Sequence, residues 1–192
     1  MDIAEILLPN NDPKRPWELG VPIAKTDNGL EVFLTDDIAE PVMYDELRFV
    51  LRHAKPHQTV YFHITSGGGG LDSAVNLINA IRNTQAYTVA IPSAVVASAA
   101  TMITLACQEV QVTDHLRFMV HNYSSHGLSG KGNELKEQQK FMDGYIDSFM
   151  TDIYTGFLNE EEIKEMLDGK DFWMGTDEVA QRLNGTYHSN DE

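Results

Sequence analysis

The chain has 192 residues, with 14 Lys and Arg against 29 Asp and Glu, for a formal charge of −15. An acidic excess of this size excludes a basic nucleic-acid-binding face and disfavours attachment to an anionic membrane surface. The length suits one domain with an arm, and 42% hydrophobic against 22% charged residues is globular rather than disordered composition.

Residues 1–20 read as an irregular N-terminal arm, with Asn10-Asn11-Asp12-Pro13 and Arg15-Pro16 as loop chemistry. The opening Met1–Pro9 has no cationic stretch and too short an apolar run for a signal peptide, and no later stretch nears the roughly 20 apolar residues of a membrane span. The expectation is a soluble, cytoplasmic chain. Asp27-Asn28-Gly29 between Val21–Lys25 and Leu30–Thr35 predicts a β-hairpin. Met43, Leu47, Val50, Leu51 and Ala54 recur at helical spacing over residues 41–54. Thr59–Ile64 predicts a strand, followed by Thr65-Ser66-Gly67-Gly68-Gly69-Gly70 and then a helix with Leu71, Ala74, Val75, Ile78 and Ile81 on one face. Tyr87–Ile91 predicts another strand, and Ala94–Cys107, nearly all small or apolar, a buried helix. Glu109–Val112 and Arg117–His121 add further strands. Strand and helix thus alternate as in an α/β fold with a mostly parallel sheet. Residues 124–132 form a polar loop, and a long helix is expected from Asn133, with an apolar stripe from Met142 to Phe157. A short helix follows over Asn159–Leu167, with Asn159 as its N-cap, and residues 186–192 are expected to be a flexible tail.

Three features carry chemistry. The glycine run after the strand lets backbone approach a ligand and aim N–H groups at it, although it lacks the Lys-Ser/Thr ending of a phosphate loop. Ser98, at the start of an apolar helix, reads either as an N-cap or as a nucleophile favoured by the helix dipole. His121, at the end of the strand Phe118-Met119-Val120, is either structural or a general base. His115, His121 and His126 have no recognised metal-ligand spacing, so no metal is assigned. Cys107, the single cysteine, lies in the apolar Leu105-Ala106-Cys107 and reads as a small buried hydrophobe, with a catalytic thiol as the alternative.

In this order the features resemble the ClpP family, the proteolytic subunits of Clp proteases within the ClpP/crotonase superfamily. Val32-Phe33-Leu34-Thr35 is similar to the family's first core strand, and Tyr61–Gly69 to its strand and Ser-Pro-Gly-Gly loop. Ala97-Ser98-Ala99 is similar to the segment around its nucleophile, and Met119-Val120-His121 to that around its base, 23 residues on. A further 50 residues on, Asp171-Phe172-Trp173 matches the segment of its acid.

The resemblance implies an α/β ClpP/crotonase-like fold of repeated ββα units with a mostly parallel sheet and a protruding handle helix. It implies a peptidase domain over 21–185 with the handle at 133–157. It further implies a Ser98, His121 and Asp171 triad, with Asp168 and Asp177 as fallback acids. Backbone N–H groups of Gly68 and Ala99 would form the oxyanion hole. An extended polypeptide substrate would lie along Gly67, Gly69, Gly70, Leu71, Asn122 and Tyr123. The family's partners are further copies, in heptameric rings stacked as a tetradecamer, and a Clp-type ATPase. It needs no cofactor.

Some positions depart from the family. Gly67 stands for its Pro, Ala94, Ala99 and Ala100 for Gly, Met and Gly, Phe172 for an arginine, and His63 for a docking-pocket aromatic. These differences suit a phage-type member, including a prohead maturation protease. They also leave open a catalytically silent ring-forming scaffold or regulatory subunit. A crotonase-type acyl-CoA enzyme is the third alternative and needs no serine nucleophile.

Overall fold

A computed structural model describes residues 20–124 and 131–184. The expected arm (except Gly20), the tail at 186–192, most of the polar loop at 124–132 and His126 lie outside the described residues.

Strand β1 (Ile23–Thr26) and β2 (Gly29–Leu34) form the expected antiparallel hairpin, with Thr26 facing Gly29 across Asp27-Asn28. Gly29 is needed there for space: a Cβ on it would collide with the carbonyl of Thr59 in the neighbouring strand. A 3-10 turn (Pro41–Tyr44) leads into α1 (Asp45–His53), so the expected helix begins as a tighter coil at its proline. β3 (Thr59–Ser66) runs into the glycine loop and α2 (Leu71–Asn83), and β4 (Tyr87–Ala97) into α3 (Ala99–Ala106). Short β5 (Glu109–Val110) and β6 (Arg117–Val120) precede the long α4 (Gly132–Tyr154). Then come α5 (Glu160–Leu167), β7 (Phe172–Gly175) and α6 (Thr176–Leu183).

The sheet order is β1-β2-β3-β4-β6-β7, with β5 also on β4. Its pairings are parallel from β2 to β6, and the outer strands β1 and β7 are antiparallel. The mostly parallel sheet is the expected one. Strand alternation puts Val60, Phe62 and Ile64 of β3 in the core with Leu30, Val32 and Leu34 of β2, under the helices. On the other face, the half-buried His63 pairs with the Glu31 carboxylate and stacks on Phe33, ring centroids 4.8 Å apart.

The structure differs from expectation over Ala94–Cys107, where the run is a strand to Ala97 and a helix only from Ala99. The register between β3 and β4 shifts, from Ile64 facing Pro92 to Ser66 facing Val96, and the extra residues of β4 form a bulge at which Ala94 takes φ +54°. Past it, Val95–Ala97 pair with β6. The bulge therefore aims the end of β4, and Ser98, at the glycine loop. The long helix begins at Gly132 and ends at Tyr154, short of Phe157. It buries Ile146, Met150, Ile153 and Tyr154, while Phe141 stays 70% and Tyr145 41% exposed.

Candidate active site

Ser98 sits between β4 and α3 with φ +55° and ψ −128°, a conformation that L residues rarely adopt. The turn is held on both sides. The Ser98 N–H donates to the Met119 carbonyl of β6 at 2.9 Å, and its carbonyl accepts from the Thr101 N–H at 2.9 Å and the Thr101 hydroxyl at 2.6 Å. The Thr101 oxygen also lies 2.7 Å from the Tyr154 hydroxyl, so a buried polar chain joins the end of α4 to the serine turn. The Ser98 hydroxyl makes no capping bond. The N-cap explanation therefore fails for this serine.

Ser98 and His121 line one cavity of about 520 Å³, together with Ala99, Gly69, Gly70, Leu71 and Tyr123. A larger cleft of about 710 Å³ lies between α1 and α2 and contains none of these groups. The remaining predicted residues have other settings. Gly68 packs behind Ser98 at φ +99°, and its N–H donates to the buried Ser66 hydroxyl at 3.1 Å. Gly67 is next to the Asp37 carboxylate. Ile38 bridges the loop, donating to the Gly68 carbonyl and accepting from the Gly70 N–H, both at 2.7 Å. Asn122 turns away from the cavity: its amide donates to the Leu167 carbonyl at 2.7 Å and its oxygen accepts from the Tyr123 N–H at 2.7 Å. The Tyr123 hydroxyl donates to Asp143 at 2.8 Å and accepts from the Gln139 amide at 2.7 Å. The segment after His121 is thus clamped to both α4 and α5.

Asp171 is exposed. β6 and β7 pair antiparallel with Val120 facing Phe172 and Met119 facing Trp173. The pairing ends at Val120 and Phe172, so His121 and Asp171 are the next residues beyond it on the two strands. Asp168 caps α5 and Asp177 lies in the first turn of α6, so neither has this relation to His121. Among the described residues no hydrogen bond joins Ser98, His121 and Asp171. Cys107 follows α3, and its thiol donates weakly to the Ile103 carbonyl at 3.7 Å. The residue is only partly buried, yet burial of the sulfur pushes its pKa up to about 12, with a bond to Thr88 pulling the other way. A thiol held that high is not a nucleophile at neutral pH.

Sequence reasoning missed Ile38 and the Thr101–Tyr154 link. Their roles come from contacts between distant segments, and only the interruption of the apolar run by Thr101 hinted at a buried polar partner. Among the described residues no helix is long and apolar enough to cross a membrane. A family model described as Clp protease matches residues 27–182. No curated protein matches the chain.

Proposed function

Because the chain belongs to the Clp protease family, we propose that it is a serine endopeptidase whose nucleophile is Ser98. One observation carries this reading: a strained strand-to-helix turn presents an uncapped serine hydroxyl to the cavity that His121 lines. Strain of this kind is kept where the surrounding structure holds it for a purpose.

In this mechanism His121 takes the proton of the Ser98 hydroxyl as its oxygen attacks a peptide carbonyl, and Asp171 orients the imidazole and stabilises its cation. His121 then protonates the leaving amine, and water releases the acyl group by the same route. The Ala99 N–H, in the first turn of α3 and without an intrahelical partner, supports the oxyanion. Gly68 supplies the second donor once its N–H leaves the Ser66 hydroxyl. The substrate, an unfolded polypeptide or peptide, lies along the Gly69–Leu71 edge.

The peptidase domain of this reading covers residues 21–185, with the handle over 133–157, and works in the cytoplasm. The exposed rings of α4 support a seam between copies: Phe141 and Tyr145 stack at 6.3 Å, and Tyr145 and Phe149 at 6.1 Å. Heptameric rings paired into a tetradecamer, fed by a Clp-type ATPase, complete the proposal. Ser98→Ala tests it: peptide hydrolysis and fluorophosphonate labelling should disappear, and labelling that persists in the variant overturns it.

A second reading, a catalytically silent ring-forming scaffold, is favoured by the engaged Gly68 N–H and the absence of a hydrogen bond between His121 and Asp171 among the described residues. Fluorophosphonate labelling of the assembled parent protein decides against it.

A further inference from the structure

The cavity beside Ser98 is charged on one side only. Glu40 and Asp72 line it, and no Lys or Arg does among the described residues. Two more carboxylates belong to neighbouring segments of chain. Asp37 is next to Gly67, its Oδ1 3.7 Å from where a Cβ would be. Asp143 accepts from both the Tyr123 hydroxyl and the Gln139 amide, at 2.8 and 2.6 Å. Asp143 registers on Tyr123: the bond to it, then desolvation, push the phenol pKa up against the Gln139 amide, with the charges of Asp143 and Asp147 adding to the rise. The rest of the lining includes apolar Ile38, Pro41, Leu71, Met102 and Met142. A cleft with low-dielectric walls and charges of one sign concentrates ions of the other sign.

We infer that this site selects peptides with basic residues beside the scissile bond and discriminates against acidic ones. The inference rests on the peptidase reading for its location and names the substrate class of that site. Glu40 and Asp72 meet the flanking cations. Two partly screened contacts with exposed carboxylates are together worth roughly a threefold to tenfold preference.

The test uses the full-length protein and two internally quenched peptides with the same Met-Leu centre, one flanked by paired lysines and the other by paired glutamates. At about 0.1 M salt the lysine peptide should have the higher kcat/KM by roughly threefold to tenfold, narrowing toward parity at about 1 M, where the screening length is about 3 Å. The double variant Glu40→Lys and Asp72→Lys should favour the glutamate peptide. Each ratio is taken within one protein, so a general loss of activity does not move it. The same peptides, dye-labelled, are titrated onto Ser98→Ala by fluorescence anisotropy and read the preference without turnover. Equal rates at low salt, a ratio unmoved by the double variant, or failure of both peptides to bind Ser98→Ala overturns the inference. Hydrolysis of neither peptide, with the binding preference intact, supports it and overturns the peptidase reading instead.

Discussion

A Cβ atom on Gly68 would stand 2.6 Å from the Cβ of Ser98, a distance that folded chains do not tolerate. The loop after β3 and the turn carrying the candidate nucleophile are in backbone contact, with room for nothing larger than hydrogen between them.

Gly68→Ala therefore meets both this clash and the strain of a side chain at φ +99°. It should lower stability by about 2–3 kcal/mol. If the loop shifts to relieve the clash, the oxyanion donor shifts with it, and kcat/KM should fall by roughly a hundredfold or more. A urea melt and a peptide-hydrolysis assay on the same variant check the two effects, and a variant with normal stability and activity would remove the contact from the mechanism.

The strain at Ser98 and Ala94, at φ +55° and +54°, should be measurable as stability. A left-handed L residue costs roughly 1–2 kcal/mol, of which glycine returns part as unfolded-chain entropy. Ser98→Gly should be more stable than Ser98→Ala by about 1 kcal/mol, with both silent to fluorophosphonate. Ala94→Gly should stabilise by a similar amount while labelling of Ser98 is retained. Urea midpoints compare the four proteins.

Asp171 can be separated from the other candidate acids because it directly precedes β7, whose Phe172 pairs with Val120 next to His121. Asp171→Asn keeps the shape and removes the charge that orients the imidazole in the proposed mechanism, so kcat should fall by about a thousandfold or more. Asp168→Asn and Asp177→Asn should stay within about threefold of the parent, because neither is the acid of the proposed triad and surface changes of this kind are near neutral. A loss in Asp168→Asn equal to that in Asp171→Asn would reassign the acid.

Arg182, 2% exposed, forks onto Glu162 at 2.8 and 2.9 Å and also binds Glu178 at 2.9 Å, tying α5 to α6 around β7. Burial pushes the Glu162 carboxyl up, but Arg182 and the Asn159 N–H outweigh it and hold the pKa below its ordinary value. A depressed carboxyl contributes stability above its unfolded value of about 4.3, and that stability is lost as pH falls through the folded value. Arg182→Leu should cost about 3–5 kcal/mol at pH 7 by leaving Glu162 buried and unpaired. The gap between variant and parent should narrow below about pH 4, where Glu162 takes up a proton. Denaturant midpoints at pH 7 and at acid pH give both numbers, and a gap that is constant with pH would argue against the charge.

The legible parts of this chain were the local ones. Alternation in Thr59–Ile64, the turn at Asp27-Asn28 and the Asn159 cap depend on neighbours in sequence, and the Asn159–Glu162 capping box is present. Ala94–Ala97 was misread as helix because a short run of small apolar residues has no period to separate a buried strand from a buried helix. What decides it is pairing with β3 and β6, which is non-local. The site divides in the same way. Ser98, His121 and the glycine loop stood out by residue type and place, whereas nothing local among the 29 acids pointed to Asp171, and only the family resemblance chose it. The apolar stripe of α4 was readable, but its division into a buried end from Ile146 and an exposed start around Phe141 follows from where the core stops.

Cys107 is the single thiol of the chain, at the far end of the helix that Ser98 begins, and its pKa stands at about 12. Burial of the sulfur suppresses the thiolate in the folded molecule, so opening of that end of the helix should speed alkylation by iodoacetamide. The rate of alkylation then reports opening of the helix at the end opposite Ser98, through a probe already built into the native chain and readable by mass with no label introduced.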